Sequence, residues 1–336
     1  MKVLVTGANG QLGMSLRRIV GDTLGPLGLG MTEKFSGRDS TVMPSEASAS
    51  QTYYFTDVNE LDITDLAAIR KMVRKEGIDT IVNCAGYTDV EGAENRPDLA
   101  ELLNARAVEN LAVAMKEVNG LLLHISTDYV FGGEPLNSPI SEDQKPAPMG
   151  VYAISKLHGE EAIRRVGCRH IIIRTAWLYS PYGKNFVKTM LRLTAEKPSL
   201  KVVDDQRGTP TFAADLAEVI VRFLTVGKAP ASEGASAIFF AISEAGLSPA
   251  SNTPSANIFN FTNEGECTWY EFACAIAELS RHTDCDIQPC RSDEFPSKVH
   301  RPAYSVLDKT RIRQTLGITI PHWRSSLETC LKELLP

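Results

Sequence analysis

Residues 2–13 read KVLVTGANGQLG. Lys2–Thr6 is a short run rich in β-branched residues, and glycines follow at 7, 10 and 13. The next stretch, QLGMSLRRIV (11–20), carries apolar residues at helical spacing. A strand that breaks into glycines and restarts as a helix is the arrangement that cradles a pyrophosphate. One glycine allows the tight turn, one lets the backbone approach the phosphates, and one lets helix and strand pack closely. The helix N-terminus then offers free N–H groups to the anion. A glycine-rich turn without a ligand is the competing reading, and the flanking strand and helix favour a dinucleotide.

Similar strands recur outward from this point: TYYFTDV (52–58), TIVNCAG (80–86), LLLHIST (121–127) and HIIIRTAW (170–177). Helical patterns lie between them at 65–77, 96–119 and 152–167. Continuous apolar strands alternating with helices indicate a parallel sheet covered on both faces. The expected fold class is α/β: a Rossmann-type doubly wound domain over 1–180, with a smaller, mainly C-terminal substrate lobe over 181–336 and an interleaved boundary. In the second half, 185–197, 214–227, 268–283 and 323–335 read as helices and 200–205 as a strand. Two stretches, 24–51 and 229–257, are rich in small residues and proline and read as inserted surface loops, apart from AIFFAI (237–242).

The chain has 336 residues, 43% of them hydrophobic and 23% charged, with a formal net charge of −6. That balance argues against nucleic acid and an anionic membrane as main partners, since both need a basic face, and it leaves room for a local basic pocket for a phosphorylated small molecule. No apolar run approaches the roughly 18 residues of a membrane span, and KVLVT runs into glycines without a signal-peptide pattern. The seven cysteines form no CxxC pair. Reduced thiols in a cytoplasmic protein are the expectation.

Three further features carry chemistry. An acidic residue about 20 positions after the glycines commonly accepts the ribose hydroxyls. Here that window falls in the first insertion, leaving Asp57, or Asp62 with Ile63, for the ribose and adenine side. Tyr152 and Lys156, four apart in VYAISKLHGE, share a helix face, although an ordinary exposed pair explains that spacing equally well. HISTDYVF places Ser126, Thr127 and Asp128 at the C-terminal end of a parallel strand, the edge where such sheets hold ligands.

Glycine fingerprint, NCAG strand, hydroxyl-bearing strand and Tyr-x-x-x-Lys helix occur in the order found in the extended short-chain dehydrogenases/reductases. Within that group GANGQLG, STDYVF, VYAISKLHGE, RTAWLYSPYGKNFVKTML and DDQRGTPTFAADLA resemble the dTDP-4-dehydrorhamnose reductase family over nearly the whole chain outside the insertions. The resemblance implies NADPH or NADH as cofactor and a nucleotide sugar as substrate, and it leaves room for a homodimer. It implies cofactor contacts at Gly7, Gly10, Gln11, Leu12 and Gly13, at Asp62 and Ile63, and at Gly86, Tyr87 and Thr88. Thr127, Tyr152 and Lys156 match the catalytic triad, with Tyr152 and Lys156 also at the cofactor. Thr88, Val90, Thr127, Asp128 and Trp177 match positions lining the deoxysugar. Relatives that bind magnesium at a dimer interface have a glutamate just after the fingerprint; Met14 and Ser15 stand here, so no metal is expected there.

The implied chemistry is reduction of a sugar C4 ketone. Tyr152 would donate the proton, Lys156 would lower the phenol's pKa and hold the nicotinamide ribose, and Thr127 would hydrogen-bond the developing alkoxide. Lys184, Asn185 and Arg207 follow the sheet edge and are candidates for diphosphate contact. A 4,6-dehydratase needs a glutamate directly after Thr-Asp to remove the C5 proton, and Tyr129 occupies that position. A 4-epimerase, or a non-catalytic regulatory subunit of the same family, stays open.

Overall fold

Val3, Leu4 and Val5 of β1 (Lys2–Thr6) are fully buried, as expected for a strand covered on both faces. The computed structural model describes residues 1–21, 51–133, 136–226, 255–294, 299 and 301–335. After β1 come α1 (Gln11–Val20), β2 (Thr52–Thr56), α2 (Leu66–Glu76), β3 (Thr80–Asn83), α3 (Val90–Asn95), α4 (Pro97–Glu101) and α5 (Ala107–Glu117). The chain continues through β4 (Leu121–Thr127), α6 (Val151–Val166), β5 (Arg169–Thr175), β6 (Leu178–Tyr179), α7 (Phe186–Glu196), β7 (Ser199–Val203), β8 (Arg207–Gly208) and β9 (Thr211–Phe212). It ends with α8 (Ala213–Val226), β10 (Ile258–Asn260), β11 (Cys267–Thr268), α9 (Trp269–Ser280), β12 (Asp286–Cys290), α10 (Thr310–Leu316) and α11 (Trp323–Leu334).

Six strands form one parallel sheet in the order β2-β1-β3-β4-β5-β10. Alternate residues feed opposite faces. Val3, Val5, Ile171 and Ile173 pack with Leu12 and Leu16 of α1, Phe223 of α8 and Ile312 of α10. Leu4, Ile81, Leu122 and Ile172 pack with Ile69 of α2, Leu111 and Met115 of α5 and Ile163 of α6. The sheet is therefore doubly wound. The chain leaves β1 for β2 on one side and returns as β3 on the other, so the crevice above β1 and β3 is the topological switch point, where such sheets hold ligands.

A third core gathers Tyr179, Phe212 and Phe272 with Trp323, Leu327 and Leu331, joining α7, α9 and α11. Around it lie three two-stranded pairs, β6 with β9, β7 with β12 and β8 with β11. The strand expected at 200–205 belongs here as β7, not to the central sheet. β10, from far along the chain, completes the central sheet beside β5.

The single helix expected over 96–119 is instead α4, a π-helical turn (Leu102–Arg106) and α5. The wider turn places buried Asn104 where its amide binds both the backbone of Tyr87 and the Ser155 hydroxyl. Gly159 on α6 makes room for it, since a Cβ there would collide with the Asn104 carbonyl. Most of the two expected insertions, including AIFFAI, lies outside the described residues.

Candidate active site

Gly7 turns the chain out of β1 at φ +67, and a Cβ there would sit 2.6 Å from the Ala85 nitrogen after β3. Only a glycine lets the two strand ends approach this closely. At Gly13 a Cβ would collide with the Gly7 carbonyl, so this glycine seats α1 against the turn. Gly10 is the N-cap of α1 with no side chain capping it, which leaves first-turn N–H groups available to an anion. Leu12 is buried in the core, so its part in any phosphate contact falls to its backbone. Gln11 reaches across to the other half of the chain, accepting from Ser180 Oγ and Asn185 Nδ2 at 3.0 Å each.

Asp57 Oδ2 accepts from the Asn9 backbone N–H at 3.0 Å and Oδ1 from that of Val58 at 2.8 Å. This holds a carboxylate against the glycine turn. Asp62 is exposed and engaged with Thr64, and Ile63 is 7% exposed within the core. Gly86, Tyr87 and Thr88 form the partly open loop after β3, clamped by Asn104 through hydrogen bonds of 2.8 and 3.0 Å. A Cβ at Gly86 would lie 2.9 Å from Asn104 Oδ1, so a larger residue would disturb that clamp. Uncapped helix, glycine cradle and acidic turn together fit a dinucleotide.

At the C-terminal end of β4, Thr127 Oγ1 donates to Asp128 Oδ1 at 3.1 Å and accepts from the Tyr129 N–H at 3.3 Å. The Tyr152 phenol lies within electrostatic reach of Thr127, and its ring meets that of Tyr129 edge-on at 5.6 Å. Burial raises the Tyr152 phenol above its ordinary range; the Thr127 hydroxyl opposes this, and Asp128 and Tyr129 add to it. The expectation that Lys156 lowers the phenol is not met in this geometry. The Lys156 amine, 6% exposed, donates to the Ile125 carbonyl at 2.6 Å, and burial pulls its pKa down to about 8. Asp128 is 2% exposed, one carboxylate oxygen has no protein partner, and burial pushes it up to about 7.

Trp177 packs against the edge of the third core. Its backbone lies at φ +48, a strained conformation for a large side chain. Its ring stacks on Trp269 at 3.6 Å between centroids and 14° between planes, and Gly208 leaves space for it. Trp269 and Phe186 line a cavity of about 920 Å³, whose wall also includes Lys201, Gln206, Arg301 and Glu91. The charges of Arg301 and Glu91 also act on Tyr129, which links this cavity to the Tyr152 edge. Val90 opens α3, beside Glu91. Of the diphosphate candidates, Arg207 faces Glu266 and Glu271 at 3.5 and 3.7 Å, Asn185 caps α7, and Lys184 is exposed.

Residues 1–335 match the family model described as the RmlD substrate binding domain. The chain belongs to the dTDP-4-dehydrorhamnose reductase family. It is 32% identical to the dTDP-4-dehydrorhamnose reductase of Burkholderia thailandensis, covering 100% of this chain and 99% of that one. Identity is 34% to the spore coat polysaccharide biosynthesis protein SpsK of Bacillus subtilis, over 99% and 97%. A solved dTDP-4-dehydrorhamnose reductase from Clostridium acetobutylicum superposes with a TM-score of 0.79 at 33% identity, over 99% of both chains. One from Bacillus anthracis in complex with NADP gives 0.77 at 32%, again over 99% of both. As a member of this family the chain is an oxidoreductase. No helix among the described residues is long and apolar enough to cross a membrane.

The sequence reading missed Asn104, Asn83, His124 and the Glu160–Arg174 pair. Asn83 and His124 did leave a signal: each is a polar residue inside an apolar strand, where an unsatisfied group is costly.

Proposed function

We propose that the protein reduces the C4 ketone of dTDP-4-dehydro-L-rhamnose to dTDP-L-rhamnose with NAD(P)H. The observation that carries this is the meeting of Thr127 and Tyr152 at the C-terminal edge of β4. Bound at the glycine turn, the cofactor supplies the hydride. Gly7, Gly10, Gln11, Leu12 and Gly13 hold its pyrophosphate, Asp57 or Asp62 its adenosine side, and Gly86, Tyr87 and Thr88 its nicotinamide half. Tyr152, whose phenol is protonated at neutral pH, gives its proton to the ketone oxygen. Thr127 hydrogen-bonds the same oxygen as charge develops. Lys156 holds the nicotinamide ribose. Thr88, Val90, Asp128 and Trp177 line the deoxysugar.

The large cavity suits the nucleotide diphosphate, with the aromatic rings of Trp269 and Phe186 for a base and the cations Lys201 and Arg301 for phosphates. In this reading residues 1–180 serve the cofactor and 181–336 the nucleotide sugar, and the nucleotide chemistry belongs in the cytoplasm. Tyr129 argues against dehydration: burial pushes its phenol up to about 12, so it is no base near neutral pH.

Two assays test the reading. With dTDP-4-dehydro-L-rhamnose the protein should consume reduced nicotinamide, and with dTDP-glucose and oxidised cofactor it should form no 4-keto-6-deoxy product. Tyr152→Phe should keep the fold and lose about 100-fold or more in turnover. Near-normal turnover in that variant removes Tyr152 as the proton donor. Silence of the folded wild-type protein in both assays favours a regulatory subunit.

A further inference from the structure

A line of buried polar side chains crosses the apolar centre of the sheet. Thr6 on β1, Asn83 on β3 and His124 on β4 are register neighbours, and the line ends at Lys156 on α6. The first three are 1%, 0% and 0% exposed. Thr6 Oγ1 lies 2.6 Å from Asn83 Oδ1, Asn83 Nδ2 lies 3.0 Å from His124 Nδ1, and His124 Nε2 lies 3.4 Å from Lys156 Nζ.

The direction of these bonds follows from one backbone group. The Ala85 N–H donates to Asn83 Oδ1 at 3.2 Å, and a peptide N–H has no other role. The amide oxygen is thereby fixed, and the Asn83 NH₂ must face the histidine. His124 Nδ1 accepts, so the neutral ring carries its proton on Nε2, towards the lysine. An ammonium has three donors and no lone pair and would meet Nε2–H donor against donor. A neutral amine accepts from Nε2–H while still donating to the Ile125 carbonyl.

We infer that His124 is a positioning residue for Lys156: held by Asn83 as its Nε2–H tautomer, it favours the uncharged lysine and so sets the pH at which Lys156 gains its charge. The kinetic consequence rests on the role of Lys156 given under Proposed function; the tautomer does not.

The surrounding charges leave His124 this part. Burial and the Lys156 charge hold the His124 pKa well below the ordinary range, so the ring is neutral. On α6 itself, Glu160 draws the Lys156 pKa upward, but its carboxylate is shared with Arg174 of β5 and Ser126 of β4. Desolvation pushes the partly buried Cys84 thiol after β3 up to about 12, so it stays neutral. Glu101 of α4 faces His158, Glu109 of α5 faces Arg165, and Glu94 of α3 binds the Val151 N–H. Asp128 acts on Tyr152, beyond the lysine.

Long-range ¹H–¹⁵N spectra of the full chain carrying ¹⁵N-histidine read the tautomer directly, with His124 assigned by its loss in His124→Gln. The expected pattern is neutral Nε2–H, unchanged between about pH 6 and 9. An Nδ1–H pattern, or an imidazolium in that range, overturns the inference whether or not the protein proves to be a reductase. The pH dependence of kcat/KM then reads the consequence. His124→Asn removes the donor facing Lys156 and should move the alkaline limb up by about one unit. His124→Gln offers its oxygen to Asn83 and its N–H to Lys156, and should keep the limb near the wild-type position. A limb that stays put in His124→Asn, or moves equally in both variants, overturns the assignment.

Discussion

Glu160 and Arg174 face each other with side chains no more than 1% exposed, joined by Arg174 Nε to Oε1 at 2.9 Å and Nη2 to Oε2 at 2.7 Å. Glu160 lies one turn after Lys156 on α6, and Ser126, next to Thr127, donates to the same carboxylate at 2.6 Å. The guanidinium also lies over the Phe131 ring at 4.8 Å. The pair thus fixes the helix carrying Tyr152 against the strands carrying Thr127.

Removing one partner leaves the other charge buried and unpaired. Arg174→Met or Glu160→Met should each lower unfolding free energy by about 3–5 kcal/mol, read from denaturant midpoints. The double replacement Glu160→Met with Arg174→Met should cost less than the two singles added together. Additive losses would mean that the two side chains stabilise the fold independently.

Asp128 gives a pH signature. A carboxyl that titrates near 3.9 when unfolded is pushed up to about 7 in the fold, mainly by burial. The folded state therefore holds the proton more tightly, and stability falls as pH rises from about 4 through 7. Asp128→Asn keeps the shape and cannot ionise. Its melting temperature should exceed the wild-type value at pH 8, and the gain should fade as pH is lowered towards 4. A difference that does not change with pH contradicts the assignment.

Cofactor preference follows from Asp57, whose carboxylate is held at the glycine turn by the N–H groups of Asn9 and Val58. A negative charge there accepts ribose hydroxyls and repels a 2′-phosphate. NADH should therefore support a kcat/KM within about tenfold of that with NADPH, and Asp57→Ala should shift the ratio towards NADPH. A hundredfold preference for NADPH in the wild-type protein would contradict this.

The sheet was legible because its strands are continuous apolar runs cut by glycines, and TIVN and LLLHIST needed no partner information. β12 was not, because DIQPC is mostly exposed and has no apolar pattern. β10 is only three residues long, and its pairing with β5 is a tertiary event. The Tyr152–Lys156 spacing was visible in sequence, but the direction of Lys156 towards Ile125 was not, since it depends on a carbonyl of another strand. Trp177 could be named as a site residue, while its positive φ and its stack on Trp269 arise from contacts between distant segments.

The central claim is that hydride goes to C4 of the sugar. Reduction of dTDP-4-dehydro-L-rhamnose with NAD(P)H deuterated at the transferring position of the nicotinamide, followed by NMR of the product, tests it most directly. The account predicts one deuterium at sugar C4 for each cofactor oxidised, in dTDP-L-rhamnose. Deuterium at another sugar carbon, or cofactor oxidation without label in the sugar, would contradict it.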